Sequence, residues 1–119
     1  MTATLALAEV RQQRDRLWDH CRNSLGIARL LVQEGRAEQL VATSCQLAVE
    51  SACRAALEQR GERFDGDLVY ALARFDAPLD LWEPAHARPS SQWLVDAQRV
   101  VGFLAERLRS EAPERSWGF

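Results

Sequence analysis

The sequence contains no lysine, so all 15 of its basic residues are arginine. The formal net charge is −2 and the isoelectric point is about 5.7, which does not predict the broadly basic face that is typical of nucleic-acid binding. Arginine is a stronger bidentate ligand than lysine for phosphate and carboxylate groups. A high-GC genome gives the same preference without functional meaning, and we favour that explanation while keeping a local basic patch open.

The sequence has few cysteines, and no two of them have the spacing of a known motif. Cys21, Cys45 and Cys53 form no Cys-x-x-Cys motif, and an odd count without a secretion signal predicts reduced thiols in a cytoplasmic protein. The first residues, Met-Thr-Ala-Thr, lack a basic region followed by a long apolar run, so we expect no signal peptide. No apolar stretch approaches the roughly 18 residues that a membrane span requires. We therefore expect no membrane contact.

Motifs that usually carry chemistry are also missing, including a glycine-rich phosphate loop. Glu83 and His86 have the Glu-x-x-His spacing of di-iron bundles, but no second copy accompanies them and Pro84 interrupts a helix there. His20 lies beside Cys21, yet neighbouring residues on a helix point in different directions, so a shared zinc ion is not expected. The sequence therefore predicts no catalytic residue, no metal site and no cofactor.

Helical periodicity is what the sequence has in abundance. Apolar residues recur at helical spacing in four segments, residues 4–33, 37–59, 67–75 and 90–110. Segment 37–59 has small or apolar residues on most sides, so we expect it to be the central helix. Three prolines among residues 76–89 predict an ordered loop with a helical turn. The expected fold is an all-α, antiparallel up-and-down bundle of four to five helices, with residues 1–119 as one domain and a loose tail at residues 113–119.

Turn-forming residues predict where these helices begin and end. Gly35 closes the first helix, and the very short connection that follows makes the second helix antiparallel to it. Asp65 or Asp67 is expected to cap the third helix, and Ser90 or Ser91 the last one.

Four short motifs follow one another in a recognisable order. Residues 28–31 read Ala-Arg-Leu-Leu before Gly35, and residues 46–57 read Gln-Leu-Ala-Val-Glu-Ser-Ala-Cys-Arg-Ala-Ala-Leu. Asp-Leu at residues 67–68 precedes Leu72, and a last helix covers residues 93–108. In this order the chain resembles the HEPN family, which comprises small bacterial and archaeal helical-bundle proteins.

The resemblance implies a dimer formed through helix faces, and it bears on catalysis. Ribonuclease members of the family carry Arg-x(4–6)-His in the last helix, whereas residues 90–110 contain no histidine. Arg14 and His20 have this spacing but lie on the first helix, and His86 precedes Arg88 in the loop. Members without the motif act as partners of a minimal nucleotidyltransferase, and some pairs form toxin–antitoxin modules. The resemblance therefore implies a non-catalytic binding module.

The resemblance also implies binding residues and a ligand class. Glu50 and Arg54 are the candidate binding residues for a nucleotidyltransferase partner, a nucleotide or an RNA end; by spacing alone they form a surface ion pair. Two alternatives stay open. One is a HEPN ribonuclease with a displaced histidine, and the other is a helical scaffold without a small ligand.

Five apolar residues remain once an intramolecular core is filled. They are Leu81, Trp82, Trp93, Trp117 and Phe119. Tryptophan is enriched in interface hot spots, and a two-fold dimer buries one such patch on both subunits. We therefore predict a homodimer through these residues. The alternative is that Leu81 and Trp82 cover the chain's own core.

Overall fold

The computed structural model describes the backbone of residues 2–119 and the side chains of residues 6–119. It contains α1 at Thr2–Glu34, α2 at Glu38–Gln59, α3 at Leu68–Ala73 and α4 at Ser90–Glu111. No strand occurs among the residues that are described. The predicted all-α class is therefore confirmed, with four helices. Within the described part of the chain, no helix combines the length and apolarity needed to cross a membrane.

Helix α1 runs through Gly26 without interruption and buries one narrow stripe. The stripe consists of Arg14, Trp18, Cys21, Leu25 and Ala28, which recur at helical spacing. Leu7, although apolar and at helical spacing from the stripe, is 49% exposed. Because α1 has 33 residues and α2 has 22, α2 leaves part of α1 without a neighbour.

The turn between α1 and α2 follows the predicted glycine. Gly35 adopts a φ of 65°, and its N–H donates to the carbonyl of Val32 at 3.1 Å. The N–H of Arg36 reaches back to the carbonyl of Leu31 at 3.3 Å. These bonds satisfy the last carbonyls of α1, and α2 begins at Glu38.

Helix α2 is central, as predicted. Its buried residues are mostly small, and they are Val41, Ser44, Cys45, Ala48, Val49, Ala52, Cys53, Ala55, Ala56 and Leu57. They pack against α1, α3 and α4, and the small side chains allow these helices to approach closely. Segment 37–59 was expected to be apolar and buried on most sides, but Leu40 and Leu47 are 51% and 50% exposed because that side of α2 has no neighbouring helix.

Helix α3 is shorter than predicted but has an expected cap. The Oδ1 atom of Asp67 accepts a hydrogen bond from the N–H of Tyr70 at 3.1 Å. Tight turns replace the helix after Ala73, and Asp76 has a φ of 60°. In the following loop the N–H of Leu81 bonds to the carbonyl of Pro78 at 3.1 Å. This is the expected turn, and no further helix forms there.

Helix α4 begins differently from the prediction and buries the expected stripe. Pro89 occupies the cap position without a side-chain hydrogen bond, so neither Ser90 nor Ser91 caps the helix. The two serines lie inside the first turn, where their hydroxyls are past the capping position. The buried residues of α4 are Trp93, Ala97, Val100, Val101, Leu104, Ala105 and Leu108.

The tail segment, defined as residues 113–119, is packed on the helices. Trp117 is 1% exposed, and its ring centroid lies 5.4 Å from that of Trp18 in α1. The expectation of a loose tail is therefore wrong for this residue. A buried tryptophan contributes a large contact area to the anchoring of such a segment.

Candidate functional site

The two binding residues implied by the resemblance form a surface pair on α2. Glu50 Oε1 and Arg54 Nη2 are 3.0 Å apart, and the side chains are 35% and 49% exposed. The guanidinium carbon of Arg54 lies 5.3 Å from the ring centroid of Phe64. Arg54, but not Glu50, lines a depression of about 230 Å³ together with Gln13, Leu17, Glu58, Glu62, Arg63 and Phe64.

A second cavity adjoins this depression on the side of α3. It has a volume of about 330 Å³ and is lined by Leu57, Glu62, Arg63, Asp65, Tyr70, Ala71 and Arg74. Glu62 and Arg63 line both spaces. We call the two adjoining spaces the Arg63 site.

The arginines of the Arg63 site differ in how strongly they are engaged. Arg74 pairs with Glu62, and this hydrogen bond raises the pKa of Arg74 above its ordinary value. Arg54 pairs with Glu50. Arg63 makes no salt bridge to any described residue and is exposed. It is therefore the cation of this site that can bind a ligand without losing a partner.

Another cavity lies where the loop before α4 meets that helix. It has a volume of about 420 Å³ and is lined by Asp80, Leu81, Glu83, His86, Ala87, Arg88, Pro89, Gln92, Asp96 and Arg99. We call it the His86 site. Charges of both signs line it, as they also line the Arg63 site, so the balance of charge does not by itself distinguish the two sites.

Arg88 holds the His86 site together. Its side chain is 5% exposed, and Nη1 lies 2.5 Å from Asp96 Oδ2. The guanidinium carbon lies 4.1 Å from the ring centroid of Trp93 and 5.5 Å from that of Trp82. Nε donates to the carbonyl of His86 at 2.9 Å. These contacts fix the loop on α4. Because the charge of Arg88 is already paired with Asp96, we assign Arg88 a structural role.

The cysteines have no arrangement that supports chemistry. Cys21, Cys45 and Cys53 are free and buried. Burial raises the pKa of Cys21 and Cys53 to about 12 and that of Cys45 to about 11. Such thiols stay protonated at neutral pH and are poor nucleophiles and metal ligands.

The histidines and acidic residues likewise form no metal site in the described part of the chain. No group of three or more His, Cys, Asp or Glu side chains lies in a position to hold an ion there. His20 and His86 are both exposed, His20 on α1 and His86 in the loop before α4. Pro84 and the loop conformation keep Glu83 and His86 off a common helix.

The predicted interface residues are distributed over two regions and are mostly covered within one chain. Trp82 is 3% exposed, Trp93 is 8% exposed, and their ring centroids are 5.7 Å apart. Leu81 is half-buried, and Phe119 is 37% exposed near Trp18. The burial of Trp82 fits the alternative in which Leu81 and Trp82 cover the chain's own core, and Trp117 is likewise covered within one chain. The homodimer itself stays a prediction.

The sequence patterns did not predict that Arg14 and Arg88 are buried or that Arg63 is exposed at a candidate site. Arg14 is 2% exposed, and its place in the spacing of Trp18 and Cys21 was the available signal. Arg88 and Asp96 carry no such signal, because their pairing depends on how the loop folds over α4. Arg63 lies in a connection whose shape the sequence does not specify.

No protein-family model, curated protein or solved structure significantly matches this chain.

Proposed function

We propose that this chain is a non-catalytic HEPN-like binding module, working in the cytoplasm as a homodimer of antiparallel helical bundles. Its partner is a minimal nucleotidyltransferase of the toxin–antitoxin type, or its ligand is a nucleotide or an RNA end. The order of elements supports this proposal: a long first helix, a central helix of small residues, a short Asp-capped helix and a 22-residue last helix.

The observation that carries the binding role is the Arg63 site. Arg63 is exposed beside Arg54, and guanidinium groups bind phosphate through paired, charge-assisted hydrogen bonds. Phe64 and Tyr70 line the two halves of the site and offer faces on which a base can stack. The carboxylate of Glu62 between them can accept hydrogen bonds from ribose hydroxyls.

A short 5′-phosphorylated oligoribonucleotide tests this role. We expect saturable binding by fluorescence anisotropy, and Arg63→Gln should raise Kd roughly tenfold or more, because hydrogen bonds to charged groups contribute about 1.5–3 kcal/mol. The matched control is Arg99→Gln, which removes an arginine of the His86 site and should leave Kd unchanged. Equal loss in both variants would mean that the Arg63 site is not the binding site.

The protein partner needs a separate experiment. Co-expression with a nucleotidyltransferase encoded beside the gene should yield a complex that persists through size exclusion. Arg54→Glu should weaken this complex, because it places a like charge beside Glu50, four residues earlier on the helix. Absence of both the complex and the oligonucleotide binding would favour the helical scaffold instead.

The ribonuclease alternative draws on the His86 site, because His86 and Arg99 line one cavity. An exposed imidazole can act as a general acid or base. We expect the purified protein not to cleave RNA. Metal-independent cleavage that disappears in His86→Ala but persists in His20→Ala would overturn the non-catalytic proposal, since His20 does not line this cavity.

A further inference from the structure

The tail segment continues from the end of α4 as a non-helical stretch, and it packs in a groove between α1 and α4. Helix α4 ends at Glu111, and Ala112 has φ −141° and ψ 67°, outside the helical region. The last helix-type bond joins the N–H of Ala112 to the carbonyl of Leu108 at 2.7 Å. Beyond it, the exposed Pro113 cannot donate a backbone hydrogen bond. The backbone therefore ties the tail to the helix only at this junction.

Aromatic contacts hold the tail between α1 and α4. The Trp117 ring packs edge-on against Trp18, with the guanidinium carbon of Arg14 5.0 Å from its centroid. The Phe119 ring centroid lies 6.3 Å from that of Trp18. A methyl group at Gly102 in α4 would lie 3.6 Å from Phe119 Cζ, an ordinary contact distance. The tail therefore rests on both helices.

Ion pairs fix the direction and register of the tail along α1. Glu114 Oε1 lies 2.8 Å from Nη1 of Arg14. At the next residue of the tail, Nη1 of Arg115 lies 3.2 Å from Oδ1 of Asp15, and Nη2 lies 3.6 Å from Oδ1 of Asp19. The groove thus presents a positive and then a negative charge, and the tail presents the opposite order.

The groove continues beyond the last aromatic residue of the tail. A shallow depression of about 680 Å³ adjoins Phe119 and is lined by Asp19, Arg22, Asn23, Arg29 and Phe119. Arg29 Nη2 donates to the carbonyl of Phe119 at 3.1 Å. Polar groups therefore line the open end of the groove.

We propose that this groove between α1 and α4 is a peptide-binding site, and that the tail of a second copy of this chain exchanges into it. The groove recognises the tail by side chains, namely an acidic residue, a basic residue and a buried tryptophan. An identical segment from another copy makes the same contacts with α1 and α4. Exchange therefore changes the path of the Ala112–Pro113 junction, the hydrogen bond of 2.8 Å that the Trp117 indole donates to the carbonyl of Ala112, and the entropy of association. The groove shares no residue with the Arg63 site. The exchange rests on the homodimer of the proposed function, and its failure would leave oligonucleotide binding at the Arg63 site unaffected.

A labelled peptide of residues 112–119 with capped ends tests whether the groove accepts a tail in trans. The receptor is the full chain carrying Trp117→Ala, whose own tail has lost its anchor. We expect saturable fluorescence anisotropy with an apparent Kd at least about tenfold lower than for the wild-type chain, whose tethered tail competes at an effective concentration in the millimolar range. No saturable binding to a folded Trp117→Ala chain would overturn the proposal.

Two controls keep this test decisive. The same peptide with alanine in place of its tryptophan should not bind, because the aromatic contacts are lost. If the Trp117→Ala chain is unfolded alone, recovery of its helical circular dichroism on adding the peptide supports the proposal. No recovery at roughly 1 mM peptide, the effective concentration of the tethered tail, overturns it.

Mixing two full-length variants tests exchange between copies. The labelled partner carries Asp15→Arg, which repels its own Arg115, and the unlabelled partner carries Trp117→Ala, which keeps an intact groove. We expect the indole N–H signal of Trp117 in the ¹⁵N-labelled chain to move toward its wild-type position as the unlabelled chain is added. Adding unlabelled Asp15→Arg chain should not move it. An immobile signal at every ratio overturns exchange between copies.

Discussion

Arg14 and Arg88 form two chemically similar clusters at different places in the molecule. Each side chain is almost fully buried, at 2% and 5% exposure. Arg14 pairs with Asp15 and Glu114, whereas Arg88 pairs with Asp96. Each guanidinium also lies against a tryptophan ring. The clusters differ in sequence distance, because Arg14 and Glu114 are 100 residues apart whereas Arg88 and Asp96 are 8 apart. The same combination of groups thus joins the two ends of the chain in one case and holds a loop on the neighbouring helix in the other.

The exposure of the carboxylate separates the two clusters further. Asp96 is 17% exposed, whereas Glu114 is 44% exposed. A carboxylate that loses its arginine is hydrated by water in proportion to its exposure, and the cost of leaving a charge unpaired falls accordingly. The local cluster should therefore be the more sensitive of the two to loss of its arginine.

The largest expected effect is that of Arg88→Ala. It strands Asp96 with little access to water and removes the cation between Trp82 and Trp93. We expect the free energy of unfolding in urea to fall by about 3–5 kcal/mol. Adding Asp96→Asn to this variant should restore part of the loss, because the unpaired charge is gone. A double variant no more stable than the single one would contradict the argument.

Arg14→Ala should cost less, about 1–3 kcal/mol, because Asp15 and Glu114 are both exposed enough to be hydrated, while Gln59 loses a hydrogen-bond donor. The same urea titration measures it. Trypsin cleavage after Arg115 should also become faster, since the tail loses two of its contacts. Arg88→Ala serves as the control without urea, where both variants are folded, because the contacts that Arg88 makes are with the loop and α4 and not with the tail segment. Equal acceleration in both variants would show that cleavage reports global stability.

The pH dependence of tail docking follows from Glu114. A backbone hydrogen bond, and then the Arg14 guanidinium, hold the pKa of Glu114 below its usual 4.5. Because the folded pKa is the lower one, the stabilisation is present above pH about 4.5 and is lost as the pH falls through the folded value. Between pH about 5 and 3 the urea midpoint should fall more for the wild-type chain than for Glu114→Gln. Equal falls would contradict this role.

The smallest effect is expected at the exposed pair on α2, which serves as a reference for both clusters. Glu50→Gln removes the ion pair to Arg54, whose side chain is 49% exposed. Surface pairs at this spacing contribute roughly 0.3–0.5 kcal/mol, and salt should screen the difference. A loss above about 1 kcal/mol in the urea titration would show that this pair is not an ordinary surface contact.

Helix positions were predictable because their signals are local. The spacing of apolar residues placed all four helices, and Gly35 and Asp67 marked a helix end and a helix start. The predictions were wrong where burial or capping depends on which other segment packs nearby. Leu40 and Leu47 fit the apolar pattern of α2, yet no helix covers that side. Pro89 displaced the serines from the cap of α4, a choice that depends on the path of the incoming loop.

The sequence by itself determined the helices and the central position of α2, since periodicity and turn residues act over a few neighbouring positions. Only the tertiary structure decided that Arg14 and Arg88 are buried and Arg63 is exposed, although all three are the same residue type. It also decided that Trp117 fills a groove between α1 and α4. Burial of a charged or terminal residue depends on partners that lie far away in the sequence, and their positions are set only when the helices pack.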